Sequence, residues 1–358
     1  MTGNPFPSLE MTERATGLRA RERLSTNENE FGPAPSVLSA IAAAAGTVHR
    51  YPDCDHFVLR HRLADRLGVP PDHVHIGPGI DGLLAAVCRG HLRPGRTAIT
   101  SAATYPTFAY FAESAGANLY RAAYRGVAVD VAGIAEHARR TAAAVVYVAD
   151  PDNPTGNCLG RRTLLDFADA MPPETLLVVD GAYAEYQAAP RRLRADDVID
   201  RHMLWLRTFS KAYALAGLRV GYAIGHPDLL EVLRRGAEHY VVGRLSETAA
   251  LAALDDDDYL ATTVDRTAEG RADYTERLTE LGFEVLTGSA NFLTFRCPDR
   301  VDAATLADSL RATGVFVRHL TIAPLQDCIR ITIGPAPQRH TVLTQIAELS
   351  TGSIALRP

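Results

Sequence analysis

The chain has 358 residues, a hydrophobic fraction of 47% and a formal net charge of −5, a composition typical of folded globular proteins rather than disordered ones. Its arginines are scattered among acids, which argues against a nucleic-acid partner. No window approaches the roughly 20 apolar residues that a membrane span needs. The amino terminus has no apolar run and carries acids, so it resembles neither a signal peptide nor a transit peptide.

The first part of the chain predicts a layered α/β domain. About 30 polar residues precede Pro33 and Pro35, which open the first helix. Two nearly all-apolar runs, 143–149 and 175–180, are typical of central strands in a parallel sheet that is covered on both faces. Helices and strands alternate, so ligands are expected beyond the carboxyl ends of the strands. The predicted helices are 36–45, 55–68, 81–92 and 107–116, and the predicted strands are 73–77, 97–101, 143–149, 175–180 and 203–209.

After about residue 245 the pattern changes to an α+β unit with a small sheet. The predicted helices are 275–282 and 303–314, and the predicted strands are 283–286, 291–297, 315–320 and 328–334. We therefore divide the chain into an N-terminal arm (1–35), a large domain (36–245) and a small C-terminal domain (246–358).

The five cysteines are far apart and form no CxxC pair. They predict reduced thiols in a cytoplasmic protein. His73 and His75 share one face of a strand, but no companion carboxylate or HExxH motif follows, so we expect no metal site.

The stretch GPGIDG, from Gly77 to Gly82, formally matches the dinucleotide motif GxGxxG. The following strand ends without the acid that would hold a ribose hydroxyl, and about seventy residues precede the motif, so we expect no nicotinamide cofactor. Backbone N–H groups at a helix start attract phosphate. The loop is therefore either a phosphate cradle or only a tight turn.

Lys211 is the single lysine among 37 lysines and arginines. Arginine replaces lysine in most surface roles, but it has no free amine with which to form a Schiff base. Ser210 precedes Lys211 and Arg219 follows it, past the small residues ALAG. A lysine, a hydroxyl and an arginine around such a turn suit an aldehyde beside a phosphate, and pyridoxal 5′-phosphate carries both groups.

The segment SKAYALAGLRVGY resembles the cofactor-lysine segment of fold-type I pyridoxal-phosphate enzymes. Within them, the chain is most similar to the histidinol-phosphate aminotransferase-like branch of the class I/II aminotransferases. The resemblance spans nearly the whole chain and implies a mostly parallel sheet in the large domain. The motifs that follow the family's order are LSTNENEFGP (24–33), RYPD (50–53), TYPTF (104–108), DNPTG (152–156), VVDGAY (178–183), NFLTF (291–295) and IRITIG (329–334).

The resemblance implies a role for each residue around the cofactor ring. Lys211 would form the Schiff base and move protons at the substrate's α-carbon. Asp180 would pair with the pyridine nitrogen; without the other motifs, an acid at a strand end is equally well a helix cap. Asn153 and Tyr183 would donate hydrogen bonds to the ring hydroxyl, and Tyr105 would stack on the ring.

The resemblance also implies how the phosphate is held. Ser210, Arg219 and the backbone around Ile80 and Asp81 would bind it. Tyr51 in RYPD would reach the phosphate of a partner subunit, which implies a homodimer with shared active sites.

On the substrate side, Arg330 resembles the arginine that binds the substrate's anionic group, which is a carboxylate in some members and a phosphate in others. Arg318 resembles a second anion contact, and Asn29 lies in the amino-terminal motif expected against the substrate. The implied reaction moves an amino group between an amino acid or amino-alcohol phosphate and a 2-oxo acid. Decarboxylation or another lyase reaction on the same scaffold is the alternative, and a binding protein with a retired site is a third reading.

Several positions depart from the family pattern. The phosphate loop usually has Asn, Ser and Glu where this chain has Pro78, Ile80 and Gly82. The common DEAY and NENP motifs carry Gly181 and Glu30 here, and no tyrosine precedes the amino-terminal motif. These departures predict a divergent member of a specialised pathway that acts on an amino acid rather than on histidinol phosphate.

Overall fold

The computed structural model describes residues 8–351, and its strands form three sheets. In chain order the strands are β1 (Glu22–Arg23), β2 (Val74–Gly77), β3 (Thr97–Ser101), β4 (Asn118–Ala122), β5 (Val145–Ala149), β6 (Leu176–Asp180), β7 (Met203–Thr208), β8 (Gly221–Gly225), β9 (Glu284–Val285), β10 (Phe292–Arg296), β11 (Val315–Phe316), β12 (Arg318–His319) and β13 (Cys328–Thr332).

The helices cover both faces of the largest sheet and flank the smaller ones. They are α1 (Leu9–Thr16), α2 (Pro35–Ala44), α3 (Phe57–Leu67), α4 (Gly79–His91), α5 (Thr107–Ser114), α6 (Val131–Thr141), α7 (Arg161–Asp169), α8 (Pro227–Gly236), α9 (Arg244–Leu254), α10 (Asp257–Glu280), α11 (Ala303–Ala312) and α12 (Ala336–Thr351). No helix between residues 8 and 351 combines the length and apolar character that crossing a membrane requires.

The seven-stranded sheet has the order β2-β8-β7-β6-β5-β3-β4, and β8 runs in the direction opposite to the other six described strands. Alternate residues of β5 enter two different cores. Val146 and Val148 pack into one core, while Val145 and Tyr147 pack into the other. A strand buried on both faces has no solvent side, which explains why β5 is apolar throughout. The fold-type I class predicted from the sequence is confirmed.

The smaller sheet, of order β12-β13-β10-β9, is antiparallel and packs with α11, α12 and the 24-residue α10 around a third core. The predicted strand 315–320 is divided in two. β11 pairs in parallel with β1 of the N-terminal segment, whereas β12 pairs with β13. The predicted domain boundary at residue 245 falls within α9 and stays a prediction.

Several polar residues of the sequence motifs lie just beyond the carboxyl ends of parallel strands. Tyr105 follows β3, Asn153 follows β5, Asp180 ends β6, and Lys211 follows β7. Because these strands run in the same direction, their carboxyl ends meet at one edge of the sheet. The topology thereby gathers residues that are more than one hundred positions apart in the sequence.

Candidate active site

A cavity of about 530 Å³ lies at this edge, between the large sheet, the small sheet and the N-terminal segment. Eleven of the thirteen residues predicted for the site line it. They are Ile80, Asp81, Tyr105, Asn153, Asp180, Tyr183, Ser210, Lys211, Arg219, Arg318 and Arg330.

Lys211 places its amine inside the cavity. The Nζ atom donates to the backbone carbonyl of Asn27 at 3.0 Å and is 3.4 Å from that of Thr26. The pKa of Lys211 is lowered from 10.5 to about 8, mainly by burial and secondly by the positive charge of the nearby Arg330. A larger fraction of the amine is therefore unprotonated near neutral pH than for an exposed lysine.

Asp180 is only 3% exposed. Its carboxylate accepts hydrogen bonds from the Tyr147 hydroxyl at 2.8 Å and from the backbone N–H of Ala182 at 2.9 Å. No ion pair reaches Asp180 from any residue between 8 and 350. Burial raises its pKa to about 6, because the charged form loses its hydration without forming an ion pair.

Asn153 and Tyr183 have their hydrogen-bonding directions set by neighbours. Asn153 Oδ1 accepts a hydrogen bond from Arg330 Nη1, which leaves the amide Nδ2 free to act as a donor. The Tyr183 hydroxyl accepts from Asn27 Nδ2 at 3.1 Å, and its ring packs edge-on against Phe292. Burial raises the pKa of Tyr183 to about 12, so the hydroxyl keeps its proton and can donate it.

The opposite end of the cavity has an exposed guanidinium and a helix start. Arg219 donates to Asp81 Oδ2 at 3.1 Å and to Ser210 Oγ at 3.3 Å. Gly79, the first residue of α4, has φ of +72°, and a Cβ there would lie 2.8 Å from Arg219 Nη2. Glycine at position 79 therefore lets the helix start and the guanidinium approach each other closely.

Tyr105 connects this end to the ring region. Its hydroxyl donates to Asp81 Oδ1 at 2.9 Å, and burial beside that carboxylate raises the pKa of the phenol well above its ordinary value. The hydrogen bond anchors the tip of the side chain and so fixes the ring against the cavity.

Two departures from the family pattern have steric partners. A Cβ on Gly82 would lie 2.3 Å from the ring of Pro78, and a Cβ on Gly181 would lie 2.4 Å from Trp205 Nε1. Trp205 is the one tryptophan of the chain, and the Arg207 guanidinium stacks on it at 4.3 Å. A larger neighbour therefore occupies the volume that a side chain at position 82 or 181 would need.

Ile80 and Glu30 also fit their surroundings. The side chain of Ile80 packs into the helix–sheet core and is 6% exposed. Glu30 accepts a hydrogen bond from Gln338 at 3.1 Å, and burial raises the pKa of its carboxyl.

The outer side of the cavity is formed by residues 318–322 together with Leu325 and Arg330. Arg330 is 9% exposed and donates to two neutral oxygens, Asn153 Oδ1 and the Ser25 carbonyl. Arg318 is half-buried, and within residues 8–350 its side chain has neither a hydrogen bond nor an ion pair. Burial lowers the pKa of both groups, to about 10 for Arg330. Two cations without a carboxylate partner make this side suitable for an anion.

Two predicted site residues lie outside the cavity. Tyr51 is 78% exposed and stacks on Tyr240 with ring centroids 4.8 Å apart. Asn29 turns its amide to the backbone carbonyls of Lys211 and Ala212, at 3.1 and 3.2 Å, so it supports the loop that carries the lysine.

Sequence reasoning missed Asn27, which occupies the place expected for Asn29. It lies in the same NENE motif, two residues earlier. The two asparagines differ in what they contact rather than in residue type, so a motif match could not separate them. Thr208, Ser25 and Tyr147 were missed too, because each acts by supporting a more recognisable neighbour.

Comparison with known proteins agrees with this geometry. Residues 22–346 match the family described as aminotransferase class I and II. The histidinol-phosphate aminotransferase of Dinoroseobacter shibae is 33% identical over 338 residues, covering 93% of this chain and 92% of that protein. Histidinol-phosphate aminotransferase 2 of Caulobacter vibrioides is 36% identical, covering 96% and 90%. The crystal structure of histidinol-phosphate aminotransferase from Sinorhizobium meliloti in complex with pyridoxal-5′-phosphate superposes with a TM-score of 0.94 at 35% identity, covering 96% and 95%.

Proposed function

Because the chain belongs to the class I and II aminotransferase family and is a transaminase, we propose that it moves an amino group from an anionic amino donor to a 2-oxo acid with pyridoxal phosphate held on Lys211. One observation carries the proposal. The chain's single lysine lines the same cavity as a buried carboxylate, Asp180, that forms no ion pair with residues 8–350.

The buried carboxylate supports pyridoxal phosphate as the cofactor. When bound, this group supplies an aldehyde for amines and a ring that accepts electrons from the substrate's α-carbon. Asp180 would keep a proton on the pyridine nitrogen, and the cation so formed would offset the burial that now raises the pKa of Asp180 to about 6. Tyr147 holds the carboxylate in place by its 2.8 Å hydrogen bond.

Lys211 would carry the protons of the reaction. Its Nζ atom would take a proton from the α-carbon of the donor and return one to the cofactor side. A general base works best when its pKa is near the working pH, and burial brings the pKa of Lys211 to about 8. Asn153 Nδ2 and the Tyr183 hydroxyl would donate to the ring oxygen of the cofactor.

The start of α4 would hold the phosphate. The first-turn N–H groups around Ile80 and Asp81 have no partner within the helix, and the positive end of the helix dipole attracts an anion. Arg219 and Ser210 border the same space, already 3.3 Å apart. Arg219 would exchange its present pairing with Asp81 for the phosphate, or share it.

We propose that the amino donor carries a phosphate, as an amino-alcohol phosphate does. Arg318 and Arg330 face the cavity without a carboxylate partner between residues 8 and 350, and a phosphate monoester carries about two negative charges. A donor with a single carboxylate would leave one guanidinium unmatched. An amino acid as the preferred donor, which the departures from the family pattern predict, is the competing outcome.

Rapid-mixing absorbance of the holoenzyme against a panel of amino donors tests these proposals together. The panel contains histidinol phosphate and amino acids with aromatic, aliphatic and acidic side chains. We expect histidinol phosphate to convert the yellow cofactor form fastest. A preference for an amino acid would overturn the donor proposal, and release of carbon dioxide without an oxo product would overturn transamination. Lys211→Arg is the matched control, since it keeps the charge and removes the free amine.

We also propose that the protein is a homodimer in which Tyr51 reaches the partner's site. Tyr51 lies outside the cavity of its own chain, and Val48, Phe57 and Val58, close to it in sequence, are exposed as well. Apolar side chains clustered on a surface are typical of an interface. The cytoplasmic location stays a prediction.

Hybrid dimers test the role of Tyr51. Lys211→Ala and Tyr51→Ala subunits are each expected to be nearly inactive alone. Co-expressed, they form hybrids in which one site has an intact lysine and an intact tyrosine from opposite subunits. We expect activity to reappear in the mixture. Failure to complement, in dimers shown to be mixed, would contradict a shared site.

A further inference from the structure

We propose that Asn27 is a positioning residue for the reaction: it directs the Tyr183 proton into the cavity and holds the Lys211 amine, and it connects both to the small domain. This inference rests on the proposed transamination, and it concerns a residue whose side chain is not expected to react.

Asn27 is a buried centre of hydrogen bonds. It is 1% exposed and adopts a left-handed backbone conformation with φ of +56°. Asparagine is among the few non-glycine residues that tolerate this region. Its side-chain Nδ2 donates to the Tyr183 hydroxyl at 3.1 Å, and its backbone carbonyl accepts from Lys211 Nζ at 3.0 Å.

The small domain holds Asn27 from the other side. Its backbone N–H donates to Thr332 Oγ1 at 3.1 Å, and the same hydroxyl lies 3.4 Å from Asn27 Oδ1. Asn291 Nδ2 donates to the Asn27 carbonyl at 3.0 Å. Thr332 ends β13 and Asn291 precedes β10, so two strands of the small sheet set the position of this one residue.

The orientation of the side-chain amide follows from these contacts. Oδ1 lies 3.4 Å from the Thr332 hydroxyl, which also donates to the Leu24 carbonyl at 3.0 Å, and Nδ2 faces the Tyr183 hydroxyl at 3.1 Å. The Tyr183 oxygen then accepts a hydrogen bond from Asn27, and the phenolic proton is left to donate elsewhere. The remaining direction points to the cavity that Tyr183 lines, where a bound ring oxygen would accept it.

The same residue holds the lysine. The carbonyls of Thr26 and Asn27 are the acceptors within hydrogen-bonding reach of Lys211 Nζ among residues 8–350. When the amine is not joined to the cofactor, these carbonyls keep it at a fixed place beside Tyr183. A fixed resting place shortens the search before each proton transfer.

Two substitutions separate the side chain from the backbone. Asn27→Gly keeps the left-handed backbone accessible and removes the amide donor. Asn27→Asp keeps the size and replaces the donor by an acceptor, so the Tyr183 proton would turn to the new carboxylate instead of the cavity. Thr332→Val lies outside the cavity lining. It removes the hydroxyl that lies beside Asn27 Oδ1, accepts from the Asn27 backbone N–H and donates to the Leu24 carbonyl.

The test follows the pH at which the bound cofactor changes colour, together with kcat and KM. The ring oxygen of the cofactor keeps more negative charge when it no longer accepts a hydrogen bond from Tyr183. The proton whose loss changes the cofactor's colour is then held to higher pH. We expect Asn27→Asp to move the midpoint upward by roughly one pH unit or more, and to lower kcat at least tenfold with KM changed less than threefold. Asn27→Gly and Thr332→Val should show smaller shifts in the same direction.

The controls keep the proposal separable from the function on which it rests. Asn118→Asp, an exposed position on β4, adds the same charge and should leave midpoint and kcat as in the wild type. Wild-type protein without yellow colour or amino transfer would refute the proposed function. If the wild type is active but the midpoint pH of the colour change is the same in Asn27→Gly and Asn27→Asp as in the wild type, the role of Asn27 is refuted. If neither variant folds, Thr332→Val decides: an unshifted midpoint refutes the role.

Discussion

The two sides of the cavity are held in different ways. On the large-domain side, polar groups are bound to other groups of the protein: Asp180 to Tyr147, Tyr105 to Asp81, and Arg219 to Ser210. On the small-domain side, Arg318 has no polar partner between residues 8 and 350, and Ile322 is an exposed apolar residue at the rim.

This difference indicates which ligand each side of the cavity binds. Groups that are fixed in advance lose little entropy when a ligand binds, which suits a cofactor that stays in place through many turnovers. An arginine without a partner gains most when an anion arrives, which suits a substrate that comes and goes. The large-domain side would therefore determine rate, and the small-domain side would determine which donor binds.

The largest expected effect comes from the large-domain side. Asp180→Asn keeps the shape and removes the negative charge, so the pyridine nitrogen loses the group that stabilises its proton. We expect kcat to fall by roughly 10²–10³-fold, as when one preorganised electrostatic group is removed. Steady-state rates at saturating donor measure this. Tyr147→Phe, which removes only one hydrogen bond to the carboxylate, should lose less, and a wild-type kcat in Asp180→Asn would contradict the assignment.

A smaller effect of another kind is expected on the small-domain side. Arg318→Gln removes a charged hydrogen bond worth about 1.5–3 kcal/mol, so KM for a phosphate-bearing donor should rise roughly 10–100-fold while kcat changes little. Arg330→Gln should alter both constants, because Arg330 also orients Asn153. A large fall in kcat with unchanged KM in Arg318→Gln would remove the distinction between the two sides.

The packing around Gly181, which supports the large-domain side of the cavity, can be tested by measuring the free energy of unfolding. Gly181→Ala places a Cβ against Trp205 and Arg207, and we expect a loss of about 1–3 kcal/mol in the free energy of unfolding, as for overpacked cores. The double variant with Trp205→Leu should lose less than the sum of the single changes. Urea unfolding measures all three, and strict additivity would show that Gly181 and Trp205 do not compensate each other.

An effect of similar size to that of Gly181→Ala is the pH dependence of stability without cofactor. The pKa of Asp180 is about 6 in the folded protein and 3.8 when unperturbed, so between these values the folded state binds more protons than the unfolded state. Stability should therefore fall as pH rises from about 4 to 6, by up to about 1.4 kcal/mol per pKa unit. Melting temperatures of the apoprotein should show a flatter profile for Asp180→Asn, and parallel profiles would contradict the burial argument.

Much of this arrangement can be read from the sequence, and the rest depends on long-range contacts. Lys211 could be identified because an arginine-rich chain retains a single lysine, and the central strands because burial on both faces removes polar residues. Neither signal exists for Asn27, whose partners Tyr183, Asn291 and Thr332 are 156 to 305 residues away.

The division of the run 315–320 shows the same limit. Its mostly apolar residues predict one strand, but β11 pairs with the N-terminal segment and β12 with β13. Local periodicity reports the conformation of a strand and not its partner. Gly82 and Gly181 show the same limit. In the sequence they are only departures from the family pattern, whereas in the structure Pro78 and Trp205 occupy the space beside them.

Borohydride reduction of the yellow holoenzyme, followed by peptide mass analysis, tests the central claim most directly, because reduction fixes the cofactor to the amine that holds it. The chain offers a single lysine for this bond. We predict that the added mass lies on the peptide containing Lys211 and that Lys211→Arg acquires none. Added mass elsewhere, or a coloured holoenzyme that carries no label at position 211, would contradict the account.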